Sequence, residues 1–251
     1  MIPFIDEFLK TKIISQNTYL SYRYDLLQFL DITEEKITVD KISLYQKQTA
    51  GLSKAARKRK FSAVNQFLLF LYQRKVLADY FQIEEKIIVP KVPKLSKNQL
   101  SLDAVYASEN TSYGKLACLF ILELGLLPHE VAELKSSDID LTYEIVKLSS
   151  KQAMRIIPLP KKLVSYIKSN VILENQFLCD NKGKPYSRQW FFKQIKSFLS
   201  ALGFPELTAQ DLREQFIKRQ VDSGKSILEL SQILGLKTTN TLEKYYTPNG
   251  Y

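Results

Sequence analysis

"LTAQDLREQFIKRQVDSGKSILELSQILGLKTTNTLEKYY", residues 207–246, is the stretch from which the rest of the chain can be read. Residues 208–222 carry a helical pattern, Ser223-Gly224 breaks it, 226–234 resumes it, Gly235 breaks it again, and 238–246 forms a last short helix. That last helix bears two adjacent tyrosines, Tyr245 and Tyr246. A phenol ionises near pH ~10, so its hydroxyl attacks nothing at neutral pH unless cationic neighbours stabilise the charge and accept the proton. Whether either tyrosine is a nucleophile or only aromatic packing therefore depends on what the other segments bring to it.

Upstream of these helices, "YEIVKLSS" (143–150) and "MRIIPLP" (154–160) are β-rich runs separated by "KQA", which predicts a hairpin or small sheet. Before them "YGKLACLFILELGLL" (113–127) has a strongly apolar helical pattern, and Pro128 opens a new helix in front of "HEVAELKSSDID". Residues 161–170 and 187–202 also fit helices. Further back, "EEKIIVPKVPKLSKNQ" holds Pro90 and Pro93, which forbid a continuing helix, among polar and basic neighbours. On its amino-terminal side, "SQNTYLSYRYDLLQFL" places Tyr19, Tyr22, Leu26, Leu27 and Leu30 at helical spacing. In "SKAARKRKFSAVNQFLLFLYQRK", Ser53 can cap and Phe61, Val64, Leu68 and Leu71 form an apolar face. A shorter helix, "KISLYQKQTAGL", ends at Gly51 between them. The expected fold is mainly α with a small β-hairpin or sheet, in two domains: a helical domain over 1–80, a linker over 81–98 and a second domain over 99–251. A chain of 251 residues with 45% hydrophobic content is long enough for two such cores.

The formal charge is +10 and uneven, with 17 basic against 10 acidic residues over 1–100 and 19 against 16 over 101–251. An excess of this kind suits a polyanion such as nucleic acid, and equally a solvated basic surface. It concentrates in "SKAARKRK", where Lys54, Arg57, Lys58, Arg59 and Lys60 occupy the first turns of a helix whose later turns are apolar. Such a helix start can lie along a phosphate backbone while the apolar stripe anchors it.

Several chemistries are poorly supported. His129 is the only histidine, no paired cysteines stand at ligand spacing, and "SSDIDL" lacks the glycine turn of a calcium loop, so no metal is expected. Asp138 and Asp140 read as capping or solvated carboxylates, and His129 as an exposed structural residue at a helix start. Neither GxxxxGK[ST] nor GxGxxG occurs, which argues against a phosphate-cradling nucleotide site. Cys118 and Cys179 read as buried thiols of a reducing cytoplasm. Asp6 and Glu7 stand where a signal peptide would carry positive charge, so export is not expected. The apolar run "LACLFIL" is too short for the ~20 residues of a membrane helix, so it reads as core and no membrane partner is expected.

Taken in order, these motifs resemble the tyrosine recombinase (phage integrase) family in its Xer-like, XerD-like form. The family pattern is His-x-x-Arg on one helix, then Leu-Gly-His, then a nucleophilic tyrosine nine residues beyond that histidine. Here "QDLR" (210–213) and "LGL" (234–236) supply the first two elements, and Tyr245 falls nine residues after Leu236 without a gap. Tyr246 would need a one-residue insertion. Arg213 matches the second family arginine. "LGLLPHEVAEL" resembles the Gly-Leu-Arg-x-x-Glu turn, with Gly125 and Glu130 in place and Leu127 where the first catalytic arginine belongs. "KLSSKQAMRIIPLP" resembles the β-turn ending in Arg-x-Val-Pro-Leu. Strict spacing back from Arg155 selects Ser150 for the family's lysine; Lys151, one residue on, is the choice because only it can donate a proton.

The resemblance spans nearly the whole chain and implies a helical core-binding domain followed by an α+β catalytic domain. It implies a double-stranded DNA partner, association with itself or another recombinase subunit, and no cofactor. It also implies roles for Tyr245 as the nucleophile that becomes linked to a 3′ phosphate, Arg213 as a phosphate ligand and Lys151 as the proton donor to the leaving 5′ oxygen. Leu127, Gln210 and Leu236 depart from the pattern: glutamine can still donate a hydrogen bond but shuttles no proton, and leucine does neither. Five residues follow Tyr246, fewer than the segment that docks on a neighbouring subunit in Xer-like relatives. Two readings follow, a DNA strand transferase acting through Tyr245, or a catalytically attenuated DNA-binding or regulatory relative. A helix-turn-helix regulator built on 208–234 is a third reading, disfavoured by the tyrosine spacing.

Overall fold

The computed structural model describes residues 1–84, 99–149, 154–171, 173–174 and 176–246. Lys151 and residues 85–98 of the expected linker lie outside the described residues. The chain divides into two compact units, Met1–Pro93 and Lys94–Tyr251.

The first unit is helical: α1 (Ile2–Lys10), α2 (Gln16–Thr33), α3 (Val39–Gln48) and α4 (Lys54–Gln73). The Ser15 and Ser53 hydroxyls accept hydrogen bonds from the Thr18 and Ala56 amides, satisfying donors that a helix start leaves orphaned. Helix α1 is an addition to the expected set. Its signal is Ile5, Phe8 and Leu9, a helical triplet that is buried along one side. The core is aromatic: Phe8 packs on Phe67 at a ring separation of 5.6 Å, and Phe29 meets Tyr45 edge-on at 5.0 Å.

A buried ion pair, Asp25 with Lys60, sits inside this core. Asp25 on α2 is fully buried and accepts from Lys60 Nζ at 2.8 Å and from both terminal nitrogens of Arg59, one of them at 3.2 Å. Lys60 also donates to Gln28 Oε1 at 2.6 Å. A buried carboxylate is tolerable only when paired and hydrogen-bonded, and here two cations from α4 meet that need.

The second unit contains α5 (Leu102–Ala107), α6 (Tyr113–Leu124), α7 (Pro128–Glu133), β1 (Ile139–Asp140), β2 (Ile145–Ser149), β3 (Met154–Pro158), α8 (Lys161–Asn170), α9 (Arg188–Ala201), α10 (Ala209–Asp222), α11 (Ile227–Leu234) and α12 (Asn240–Tyr246). Helix α6 is apolar almost all round because it is the central helix, packed against α5, α9 and α10. Cys118 lies on it, and both Cys118 and Cys179 are free and buried; burial pushes the Cys179 thiol up to about 12.

The strands form one antiparallel sheet in the order β1-β2-β3. The expected hairpin gains a short third strand, with Ile139 opposite Val146. In the β2–β3 ladder Val146 faces Ile157 and Leu148 faces Arg155. Facing residues share a side of the sheet, so Arg155 lies on the side of buried Val146, Leu148 and Ile157, while Met154 and Ile156 are exposed on the other. Among the described residues the molecule is mostly helical with a single three-stranded sheet.

Candidate functional site

Helices α10, α11 and α12 gather around a small apolar cluster of their own, Phe216, Ile217, Leu230, Leu234 and Leu242, against which Leu236, Tyr245 and Tyr246 pack. Capping boxes begin two of them: Thr208 exchanges hydrogen bonds with Asp211, and Ser226 with Glu229. Gly235 ends α11 at φ 62°, the left-handed turn that glycine adopts without penalty.

Arg213, one turn into α10, is only 9% exposed. Its Nη2 donates to the Leu234 carbonyl at 3.2 Å, which ties it to the last turn of α11. Burial draws its pKa down from the ordinary value; Glu130 and Tyr245 oppose that shift and Arg155 reinforces it. Glu130, Arg155 and Tyr245 thus all lie within electrostatic reach of Arg213, although the four residues come from four different elements.

Tyr245 and Tyr246 point differently. The Tyr246 hydroxyl donates to the Lys225 carbonyl at 2.7 Å, and burial with nearby Glu229 raises its pKa. Tyr245 is half-buried, with the Lys244 ammonium 4.6 Å from its ring centre, and it is the tyrosine coupled to Arg213.

Glu130 starts α7 and has two partners. Its Oε2 accepts from the Leu127 amide at 2.8 Å and its Oε1 accepts from Arg155 Nη2 at 2.6 Å, with both side chains mostly buried. Arg155 also lies hard against Gly235, where an added Cβ would come within 1.9 Å of Nη1. Gly235→Ala is therefore expected to destabilise this unit by about 1–3 kcal/mol through backbone strain and displacement of the Arg155 guanidinium. Thermal unfolding of the variant measures it, and Gly203→Ala, also at positive φ but with open space around it, isolates the strain alone.

A cleft of about 470 Å³ opens beside Arg155 and Glu130, lined also by His129, Glu133, Lys135 and Lys147. His129 is exposed at its edge. Of the residues that depart from the family pattern, Leu127 and Leu236 are half-buried and Gln210 is exposed, with its amide 3.4 Å from Glu214. No group of three or more metal-ligating side chains occurs among the described residues, and no described helix is long and apolar enough to cross a membrane.

The basic run at the start of α4 does not act as a block. Lys54 and Lys58 are exposed, Arg57 is half-buried over the Phe61 ring at 5.5 Å, and Arg59 is partly exposed while paired with Asp25. Lys60 is 6% exposed and turned inward, so the expected surface role does not fit it. Arg155 was used in the sequence only as a spacing landmark. The signal that could have found it is strand parity: two residues before an inward Ile157, it must face inward as well.

Comparison with known proteins accords with this layout. Residues 95–250 match the family model described as the phage integrase family, and residues 2–75 match the phage integrase N-terminal SAM-like domain. Among solved structures, the Tn1549 transposon integrase in complex with transposon right end DNA superposes with a TM-score of 0.75 at 13% identity, covering 99% of this chain and 94% of that one. The XerH site-specific recombinase bound to difH substrate gives 0.67 at 16% identity over 97% and 92%. The XerA recombinase gives 0.51 at 24% identity over 99% and 93%. With its carboxy-terminal unit matched almost end to end and its amino-terminal helices matched separately, the chain belongs to the phage integrase (tyrosine recombinase) family.

Proposed function

We propose that this chain binds double-stranded DNA and exchanges a backbone phosphodiester for a 3′-phosphotyrosine link at Tyr245, breaking and rejoining strands in site-specific recombination in the manner of a XerD-like recombinase. The observation that carries the reading is a buried arginine, Arg213, electrostatically coupled to the tyrosine at the nucleophile spacing while the neighbouring tyrosine is tied to a carbonyl. In the exchange, the Tyr245 oxygen bonds to phosphorus as the bond to the 5′ oxygen breaks; the phenol gives up its proton and the leaving oxygen gains one. One phosphodiester replaces another, so no nucleotide or metal is needed to drive the step. Arg213 neutralises charge on the nonbridging oxygens through its planar fork, and Lys151 is the proposed proton donor to the leaving oxygen.

Residues 1–80 serve as the core-binding domain and 99–251 as the catalytic-type domain, with Lys54, Arg57, Lys58 and the exposed part of Arg59 as phosphate contacts and Lys60 as an internal brace. Buried free thiols fit a reducing compartment, the cytoplasm. A second reading, DNA binding or regulation of a partner recombinase without cleavage, is favoured by Leu127, Gln210 and Leu236 together. Losing one arginine of a phosphoryl-transfer site can cost about 10³-fold or more.

Binding is common to both readings and is tested first. Affinity for a random-sequence duplex is expected to fall steeply with salt, with a slope of about −0.9 in log–log form per phosphate contacted. Titrations across a salt series measure it, with Lys54→Gln/Lys58→Gln lowering the steepness. Undetectable or salt-independent binding would remove the DNA reading.

A further inference from the structure

We propose that Arg155 is a second guanidinium ligand of the phosphate bound at Arg213, so that the site holds its phosphate between β3 and α10. The inference rests on the reading that Arg213 binds a DNA phosphate, and it adds a residue that the family pattern does not assign to that task.

Strand parity comes first. Arg155 shares the inward side of the sheet with Ile157, Val146 and Leu148, so its long side chain is sent toward α7 and α11 rather than to solvent. There it bonds Glu130 and rests against Gly235, the residue following Leu234, whose carbonyl binds Arg213. Two guanidinium groups are thus brought to the same end of α11, close enough for Arg155 to help depress the pKa of Arg213.

Charge balance is the second argument. Two like charges placed together in a mostly buried position repel, and an arrangement of this kind is stable only with anions beside it. Glu130 pairs with Arg155 and also acts on Arg213, and a single carboxylate balances one of the two guanidinium charges. A phosphodiester carries one negative charge. Third, the Nε atoms of both Arg155 and Arg213 are buried with no hydrogen-bond partner, an arrangement that normally costs free energy. An oxyanion presenting two nonbridging oxygens supplies acceptors to both.

Glu130 also explains why a β3 residue can reach this place. The carboxylate that accepts from Arg155 accepts through its other oxygen from the amide of residue 127. Arg155 is therefore anchored at the turn from which Leu127 projects, the position that carries an arginine in the family pattern.

The experiment uses the full-length protein, a random-sequence duplex and a salt series. Arg213→Gln and Arg155→Gln are each expected to weaken binding about 10- to 100-fold and to lower the salt slope by about one unit. Glu130→Gln separates a phosphate ligand from a residue that only holds Glu130 in place: it breaks the same ion pair but leaves both guanidinium groups, so the slope should be kept or increased. Arg155→Lys keeps the charge but loses the fork that serves two acceptors, and is expected to weaken binding while folding normally. Thermal melts accompany every variant; if Arg155→Gln does not fold, Glu130→Gln and Arg155→Lys decide. An equal fall in salt slope in Arg155→Gln and Glu130→Gln, or wild-type affinity in Arg155→Lys, would overturn the inference. If Arg213→Gln itself changes neither affinity nor slope, it is the parent reading of the phosphate site that fails.

Discussion

Tyr245→Phe is expected to abolish any covalent adduct with a nicked suicide duplex, while Tyr246→Phe leaves it standing. The two phenols are adjacent in sequence but ~100° apart around a helix, so only one can face a phosphate held at Arg213. Tyr246 is already committed: its hydroxyl donates to the Lys225 carbonyl at 2.7 Å, and burial holds its pKa above the ordinary tyrosine value, which disfavours the phenolate. Removing that hydroxyl costs roughly one hydrogen bond, about 1 kcal/mol, and no chemistry. Removing the Tyr245 hydroxyl removes the proposed attacking atom, so the loss should be complete. Gel separation of protein–DNA adducts reads both variants, and the reverse pattern would overturn the assignment of the nucleophile. An absence of adduct with the unaltered protein would select the binding reading. In that case the combined change Leu127→Arg, Gln210→His and Leu236→His is expected to yield slow nicking that still depends on Tyr245.

The second large effect lies in the amino-terminal unit. Asp25→Ala should destabilise it by about 3–5 kcal/mol, because Lys60 would be left inside the helical core with only Gln28 for company. Arg59 would fare better, since its side chain is 44% exposed and can turn to water. Replacing the pair together, Asp25→Leu with Lys60→Met, should cost far less, since no buried charge is then stranded. Hydrogen exchange of α2 and α4 amides in the full-length protein measures the effect where it occurs. Similar protection in Asp25→Ala and in the unaltered protein would show that the buried pair contributes little.

The helices were legible because their signals are local. Apolar spacing in α2, α4 and α10, and breaks at Gly51, Gly224 and Gly235, are all contained within one or two turns of sequence. Strand β1 was not legible: Ile139 and Asp140 are too few to show alternation, and only pairing with β2 makes them a strand. The inward turn of Lys60 was hidden for a different reason. Its partner Asp25 is 35 residues away on another helix, so in sequence Lys60 reads as one more member of a basic run. The positions of Arg213, Tyr245 and the replaced residues came from motif spacing, which fixes places along the chain but not company in space. Arg155 shows the gap. Sequence placed it at the end of a β-turn, whereas its meeting with Gly235 and Glu130 depends on how β3 packs beside α11.

Glu130 has a consequence for how this protein can change over generations. One carboxylate fastens both the amide of residue 127 and the guanidinium of Arg155, so the side chain at 127 is free to vary while the turn beneath it is not. An ancestor could exchange an arginine there for leucine and keep its architecture. Losing Glu130 first would loosen the start of α7 and strand Arg155 in the same step. Substitutions at 130 and 155 are therefore coupled through one carboxylate, whereas the side chain at 127 takes no part in that bond and can change without disturbing it.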